Sequence, residues 1–168
     1  MSQLTQPLRE EHRELLPHIA QLRTVADTVG TAPLTSLRQD LDEVYAFLTH
    51  HLIPHAQAEE RALYPTVGRL MGAPQATATM SRDHVEIGRL IEELGTVRAS
   101  LGQTNLDASQ EQALRRVLYG LSTLITVHFA KEEEVYLPLL DARLTPEEAR
   151  ELFETMEQAA QEAQKTVR

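Results

Sequence analysis

The chain has 168 residues, 42% of them apolar, and a net charge of −9. That composition suits one globular domain with a real core, and it argues against a disordered chain and against a nucleic-acid partner, whose binding needs a Lys/Arg footprint. With no Cys, disulfides, zinc–thiolate sites and iron–sulfur clusters are excluded.

Five helices are expected, because Gly and Pro fall at wide intervals and the stretches between them have helical period. The first runs from about Leu4 to Val29 and stops at Gly30. The second begins near Pro33 and ends near Met71, before Gly72. The third begins near Pro74 and ends near Leu101, before Gly102. The fourth opens on Asp107 as N-cap, with Gln110 three residues on, and runs to about Leu140. The fifth opens on "TPEE": Thr145 caps, Pro146 takes the first helical position, and Glu148 completes a capping box. Short connections make sequential helices antiparallel neighbours. The expected fold is all-α: an up-down-up-down four-helix bundle over about residues 4–140, with an additional C-terminal helix over about 145–166, all in one domain of residues 1–168. Pro17, Pro54 and Pro65 fall inside helices, where each removes a donor and crowds the carbonyl four residues back. A kink at Pro54 would either aim His55 or simply bend the helix around the core.

No apolar run is long enough to span a bilayer. The stretch "SQLTQPLREEHREL" after Met1 lacks the basic start and apolar middle of a secretory signal. A cytoplasmic protein without a membrane partner is the expectation.

The unusual feature is seven His in a chain with no Trp and three Phe. A buried face in a bundle steps by four and three residues. Laid on the first helix, that step reads Leu8, His12, Leu15, Ile19, Leu22, Ala26, Val29. On the second it reads Leu41, Tyr45, Leu48, Leu52, His55, Glu59, Ala62. The third gives Met80, His84, Ile87, Ile91, Leu94, and the fourth Leu114, Leu118, Leu121, Ile125, His128, Glu132, Val135, Leu139. Every bundle helix thus carries a His on its apolar seam, and the second and fourth add a Glu one turn later. Six such groups converging on a core are costly to bury, and a metal removes the cost by pairing the carboxylates and taking the imidazole lone pairs.

His12, His55, Glu59, His84, His128 and Glu132 are therefore the expected metal ligands. His50 lies off the seam and is expected in solvent. His18 and His51 flank the seam, and His51 is a candidate extra ligand because His51, His55 and Glu59 climb one side of the helix in steps of four. Glu60 and Glu133 lie one past the seam, as solvated charges or as acceptors for a ligand imidazole N–H.

"HAQAEERALYP" and "HFAKEEEVYLP" superpose from His to Pro, so the chain reads as two helix hairpins, each supplying His and then His-x-x-x-Glu. Two equivalent halves suit two metals bridged by the two carboxylates. Octahedral ions need about six donors each; the imidazoles supply roughly four, bridging carboxylates about four more, and a shared oxo or hydroxo bridge counts twice. About two positions are left for water, substrate or a further ligand such as His51. Imidazole with carboxylate suits iron or manganese, and zinc is compatible; iron ranks first where oxygen or peroxide chemistry is done.

At these residues, over about Leu8 to Leu140, the chain resembles the hemerythrin-like, or HHE cation-binding, family. The order His12, His55–Glu59, His84, His128–Glu132 and the "EERALYP" tail carry the resemblance. It implies a four-helix bundle around a non-haem di-iron centre bridged by carboxylates. Roles implied by the family are oxygen or iron sensing, iron storage, peroxide removal and nitric oxide handling. Oxygen-carrying hemerythrins have a further His one turn after the third-helix His, where this chain has Gly88. The departure opens a coordination position and points away from simple oxygen carriage, toward reactive chemistry or sensing. Tyr64, five residues past Glu59, is a candidate to approach the site or a core-edge aromatic. The expected partner is dioxygen, peroxide or another small oxidant. The alternative is an iron- or oxygen-responsive regulator without turnover, read out through the C-terminal helix. Oligomeric state is left open, a homo-oligomer included. Ferritin-type di-iron proteins use Glu-x-x-His pairs, and the chain contains none.

Overall fold

The computed structural model describes residues 3–102 and 105–166. Five helical rods follow in order. α1 spans Gln6–Thr28. α2 passes through Leu34–Phe47, a wide turn at Leu48–Leu52, Ile53–Ala58, a second wide turn at Glu59–Leu63, and Tyr64–Met71. α3 spans Ala78–Ser100. α4 runs through Ala108–Lys131, a wide turn at Glu132–Tyr136, and Leu137–Arg143. α5 spans Pro146–Thr166. Among the described residues there are no strands, and no helix is long and apolar enough to cross a membrane.

Local chemistry sets the ends. Gly30 and Gly72 take positive φ after α1 and α2, a conformation that costs other residues a Cβ clash. Asp107 and Gln110 exchange hydrogen bonds of 2.8 and 3.1 Å at the start of α4. Thr145 and Glu148 do the same at the start of α5. α3 begins later than the Pro74 start read from the sequence, because turns donated by Ala76 to Ala73 and by Ala78 to Gln75 occupy that stretch.

The wide turns have one cause. In each, the residue just before a proline donates its N–H five residues back: Ile53 to Leu48, Tyr64 to Glu59, and Leu137 to Glu132. Widening the turn moves away the carbonyl that the ring of Pro54, Pro65 or Pro138 would strike. Pro17 sits in α1 without such a turn. Each wide turn inserts one extra residue and advances the buried face. After Glu132 the inward positions are Tyr136 and Leu140, whereas Val135, expected inside, is 56% exposed and Leu139 is half-buried. In α2, Val44 takes the buried place expected for Tyr45, which is half-buried under the Arg98 guanidinium.

α1 packs on α2 and α4, and α3 packs on α2 and α4, so the bundle closes into a ring. α5 lies against the Ile53–Leu63 part of α2. Two apolar clusters fill the interior. One gathers Leu22, Leu41, Ile91, Leu118 and their neighbours. The other gathers Leu8, Leu63, Met80, Leu137 and Leu140 with Leu152 and Met156 of α5. On every bundle helix the seam His falls between these two clusters, so a polar layer is held between apolar ones.

Candidate metal centre

His12, His55, Glu59, His128 and Glu132 are buried, and His84 is nearly so. The four imidazoles turn their Nε2 atoms toward two central carboxylates. Glu59 Oε1 lies 2.9 Å from His55 and 3.7 Å from His12. Glu59 Oε2 lies 3.2 Å from His84 and 3.9 Å from His128. Glu132 Oε2 is 3.4 Å from His12, and its Oε1 is 3.6 Å from His128. Each carboxylate therefore spans the two histidine pairs. Among the described residues, the side-chain atoms gather into two groups close enough together to hold a metal ion, His12–His55–Glu59–Glu132 and Glu59–His84–His128.

The fit to a cation rests on unsatisfied atoms. His12 Nε2, His55 Nε2, both Glu59 oxygens and Glu132 Oε2 are buried without a hydrogen-bond partner. Leaving such atoms bare is costly, and converging lone pairs are what a cation satisfies. Without metal, protons do part of that work. Burial alone would raise the Glu59 carboxyl, but the His55 charge and the other imidazoles turned toward it hold it well below the carboxylate range. Burial and the neighbouring Glu59 charge push Glu132 well above that range. Burial would lower His55 and His84, but Glu59 with Glu11, and Glu59 with Glu60, raise them above the ordinary 6.5.

Metal must displace those protons, so binding is expected to weaken as pH falls, starting above the ordinary imidazole value of 6.5. The His55 and His84 contributions to metal-free stability run the opposite way: they are complete below 6.5 and are lost as pH rises through the raised values. Competition titrations between about pH 6 and 8 check this; affinity that is flat over that span contradicts it.

A second ring of carboxylates holds the outer imidazole nitrogens, each reaching from one helix to the next. Glu11 of α1 lies 3.0 Å from His55 Nδ1, off the line of the N–H. Glu60 of α2 accepts from His84 Nδ1 at 2.7 Å. Asp83 of α3 accepts from His128 Nδ1 at 3.0 Å. Glu133 of α4 accepts from His12 Nδ1 at 2.9 Å. These contacts fix ring orientation and raise ligand basicity. Of the four, sequence reasoning reached Glu60 and Glu133. Glu11 and Asp83 carried a readable signal: each directly precedes a seam His, which turns it toward the neighbouring helix.

Tyr64 enters the site. Its hydroxyl donates to Glu132 Oε1 at 2.8 Å and lies 3.2 Å from His128 Nε2 and 3.4 Å from His84 Nε2. Burial and the Glu59 and Glu132 charges raise the hydroxyl far above its ordinary value, so its proton stays on. The wide turn at Glu59–Leu63 is what brings a residue five positions past Glu59 onto the same face. The matching residue of the other half is Leu137, so Tyr64 distinguishes the two sides. Phe129, missed by the periodic reading, stacks on His12 at 4.2 Å.

His51 is not brought to the centre. It is exposed and stacks on Phe47 at 6.1 Å, because the wide turn at Leu48–Leu52 carries it outward. His50 is exposed as expected, and His18 stacks on Phe47 at 4.7 Å. At Gly88 an added Cβ would meet no atom within 4 Å. Gly88→Ala is therefore expected to stabilise α3 by about 0.5–1 kcal/mol; a denaturant midpoint below that of the parent would contradict the open space.

The family model described as the hemerythrin HHE cation binding domain matches residues 3–140. No curated protein and no solved structure matches the chain.

Proposed function

The chain belongs to the hemerythrin HHE cation-binding domain family and its buried His/Glu cluster is a metal-binding site; from that premise we propose a non-haem di-iron protein that binds or reacts with dioxygen or peroxide. His12 and His55 would hold one iron, His84 and His128 the other, with Glu59 and Glu132 as bridges. The observation that carries this reading is that the two oxygens of Glu59 face different histidine pairs. An all-imidazole and carboxylate donor set without thiolate fits iron. Iron held this way supplies one-electron chemistry toward oxygen or peroxide.

The chain's own residues prepare the site for a small oxidant. Two apolar clusters and Phe129 limit water around it. Tyr64 keeps a proton beside His84 and His128, where it would be available to a small oxidant entering the site. Gly88 places no side chain over the neighbouring turn of α3. Protein purified from iron-replete cells is expected to carry about two irons per chain, lost in His55→Ala combined with His128→Ala. Metal-free protein that takes up no iron in vitro would overturn the reading.

One observation favours a second reading, a sensor without turnover. α5 packs on Ile53–Leu63, the stretch that carries His55 and Glu59, so a change at the ligands is felt directly by this helix. Repeated peroxide consumption by the iron-loaded protein supports the first reading. A loaded protein with no multiple turnover, but with altered proteolytic protection of α5, supports the second.

A further inference from the structure

We propose that Glu11 and Glu60 are the residues that strengthen imidazole donation to the metals, one in each half of the centre, because they alone of the four outer carboxylates have no neutralising cation among the described residues. The proposal rests on the metal-binding reading of the cluster and adds an asymmetry that the ligand set itself does not contain.

Each carboxylate lies within 3.0 Å of an outer imidazole nitrogen, three as hydrogen-bond acceptors and Glu11 off the N–H line, and their other neighbours differ. Glu133, behind His12, is ion-paired to the Arg9 guanidinium. Asp83, behind His128, is ion-paired to the Lys131 ammonium. Glu60, behind His84, accepts instead from the neutral Ser81 hydroxyl at 2.8 Å. Glu11, behind His55, meets no lysine or arginine among the described residues, and neither does Glu60.

The difference is written at equivalent positions of the two halves. When His12 is laid on His84, Arg9 falls on Ser81, each three residues before the ligand. When Glu59 is laid on Glu132, Lys131 falls on Ala58, each one residue before it. The same two positions therefore supply a cation to Glu133 and to Asp83, and no charge to Glu60 and Glu11. Ala58 is buried and uncharged, so this position brings no cation to Glu11.

A carboxylate that keeps its whole charge pulls harder on an imidazole N–H and makes the opposite nitrogen a better donor. A cation in contact cancels that field more completely than water does at the partly exposed Glu11 and Glu60, which are 47% and 40% exposed. One histidine of each pair, His55 or His84, is thus the strong donor, and its partner, His12 or His128, the weaker one. The Glu60 side is also the Tyr64 side, and both residues border a cavity of about 690 Å³. Glu11 borders the larger cavity, about 790 Å³, between α1 and α5.

The test uses the full chain, first metal-free and titrated with Zn²⁺, then loaded with iron for a reduction potential. Glu11→Gln and Glu60→Gln keep an acceptor at the same place and remove only charge. Each is expected to weaken Zn²⁺ binding roughly 10- to 100-fold and to raise the iron potential. Asp83→Asn and Glu133→Gln are expected to do less of both. Ser81→Arg, which installs opposite Glu60 the cation that Arg9 gives Glu133, is expected to reproduce Glu60→Gln. Equal losses in all four amide variants, no loss in Glu11→Gln and Glu60→Gln, or wild-type binding by Ser81→Arg, would each overturn the proposal. A purely orienting role would leave affinity and potential unmoved in the Gln variants. Failure of the wild-type chain to bind metal would instead refute the metal centre itself.

Discussion

Glu59→Met is expected to abolish metal loading and with it the whole metal-dependent part of the protein's stability. Glu59 is the one side chain approached by all four imidazoles, within 2.9 to 3.9 Å, and it belongs to both groups of ligand atoms. Removing it disables both halves together, which no single His substitution does. Met has a similar volume and leaves the two apolar clusters on either side intact, so the chain should remain helical. At a free metal concentration near a thousand times Kd, bound metal stabilises a fold by about 4 kcal/mol. Metal analysis and calorimetry with and without chelator check both parts. Retention of stoichiometric metal in the variant would show that the carboxylate does not bridge.

The second large effect is expected from α5, away from the ligands. Leu152 and Met156 are buried in the lower apolar cluster with Leu63, Leu137 and Leu140. Leu152→Ala and Met156→Ala should each cost about 2–5 kcal/mol, the range for emptying a packed site. They share the cluster, so their combined cost is not expected to be additive. The cluster backs the wide turn that starts at Glu59. Loss of packing there should therefore also speed metal release, measured by transfer to a chelator. A loss below about 1 kcal/mol, outside the usual range for such truncations, would mean that α5 is a loosely held appendage.

Much of the centre was legible in the sequence because it is written in the helical period. His12, His84 and His128, and the pairs that place Glu59 after His55 and Glu132 after His128, share apolar faces by spacing alone. That inference needs only the geometry of a single helix. The bundle topology followed in the same way from turn residues and short connections. Wherever the period was interrupted, the reading slipped. The wide turns before Pro54, Pro65 and Pro138 each add a residue, so Val135 moved out, Tyr136 moved in, and His51 left the face on which steps of four had placed it. The prolines were visible and pointed to distortion, but a kink and a widened turn have different consequences for every residue that follows. Tyr64 reached the centre for that reason.

The ligand-bearing faces were thus determined by the sequence itself, since the rotation of one residue relative to the next along a helix is a local property of the backbone. The pairing of Glu11 with His55, Glu60 with His84, Asp83 with His128 and Glu133 with His12 was decided only in the tertiary structure. Each of those contacts crosses between helices, and it depends on how far one rod is turned and slid against another. The packing of the two apolar clusters sets that placement, and no spacing within one helix records it.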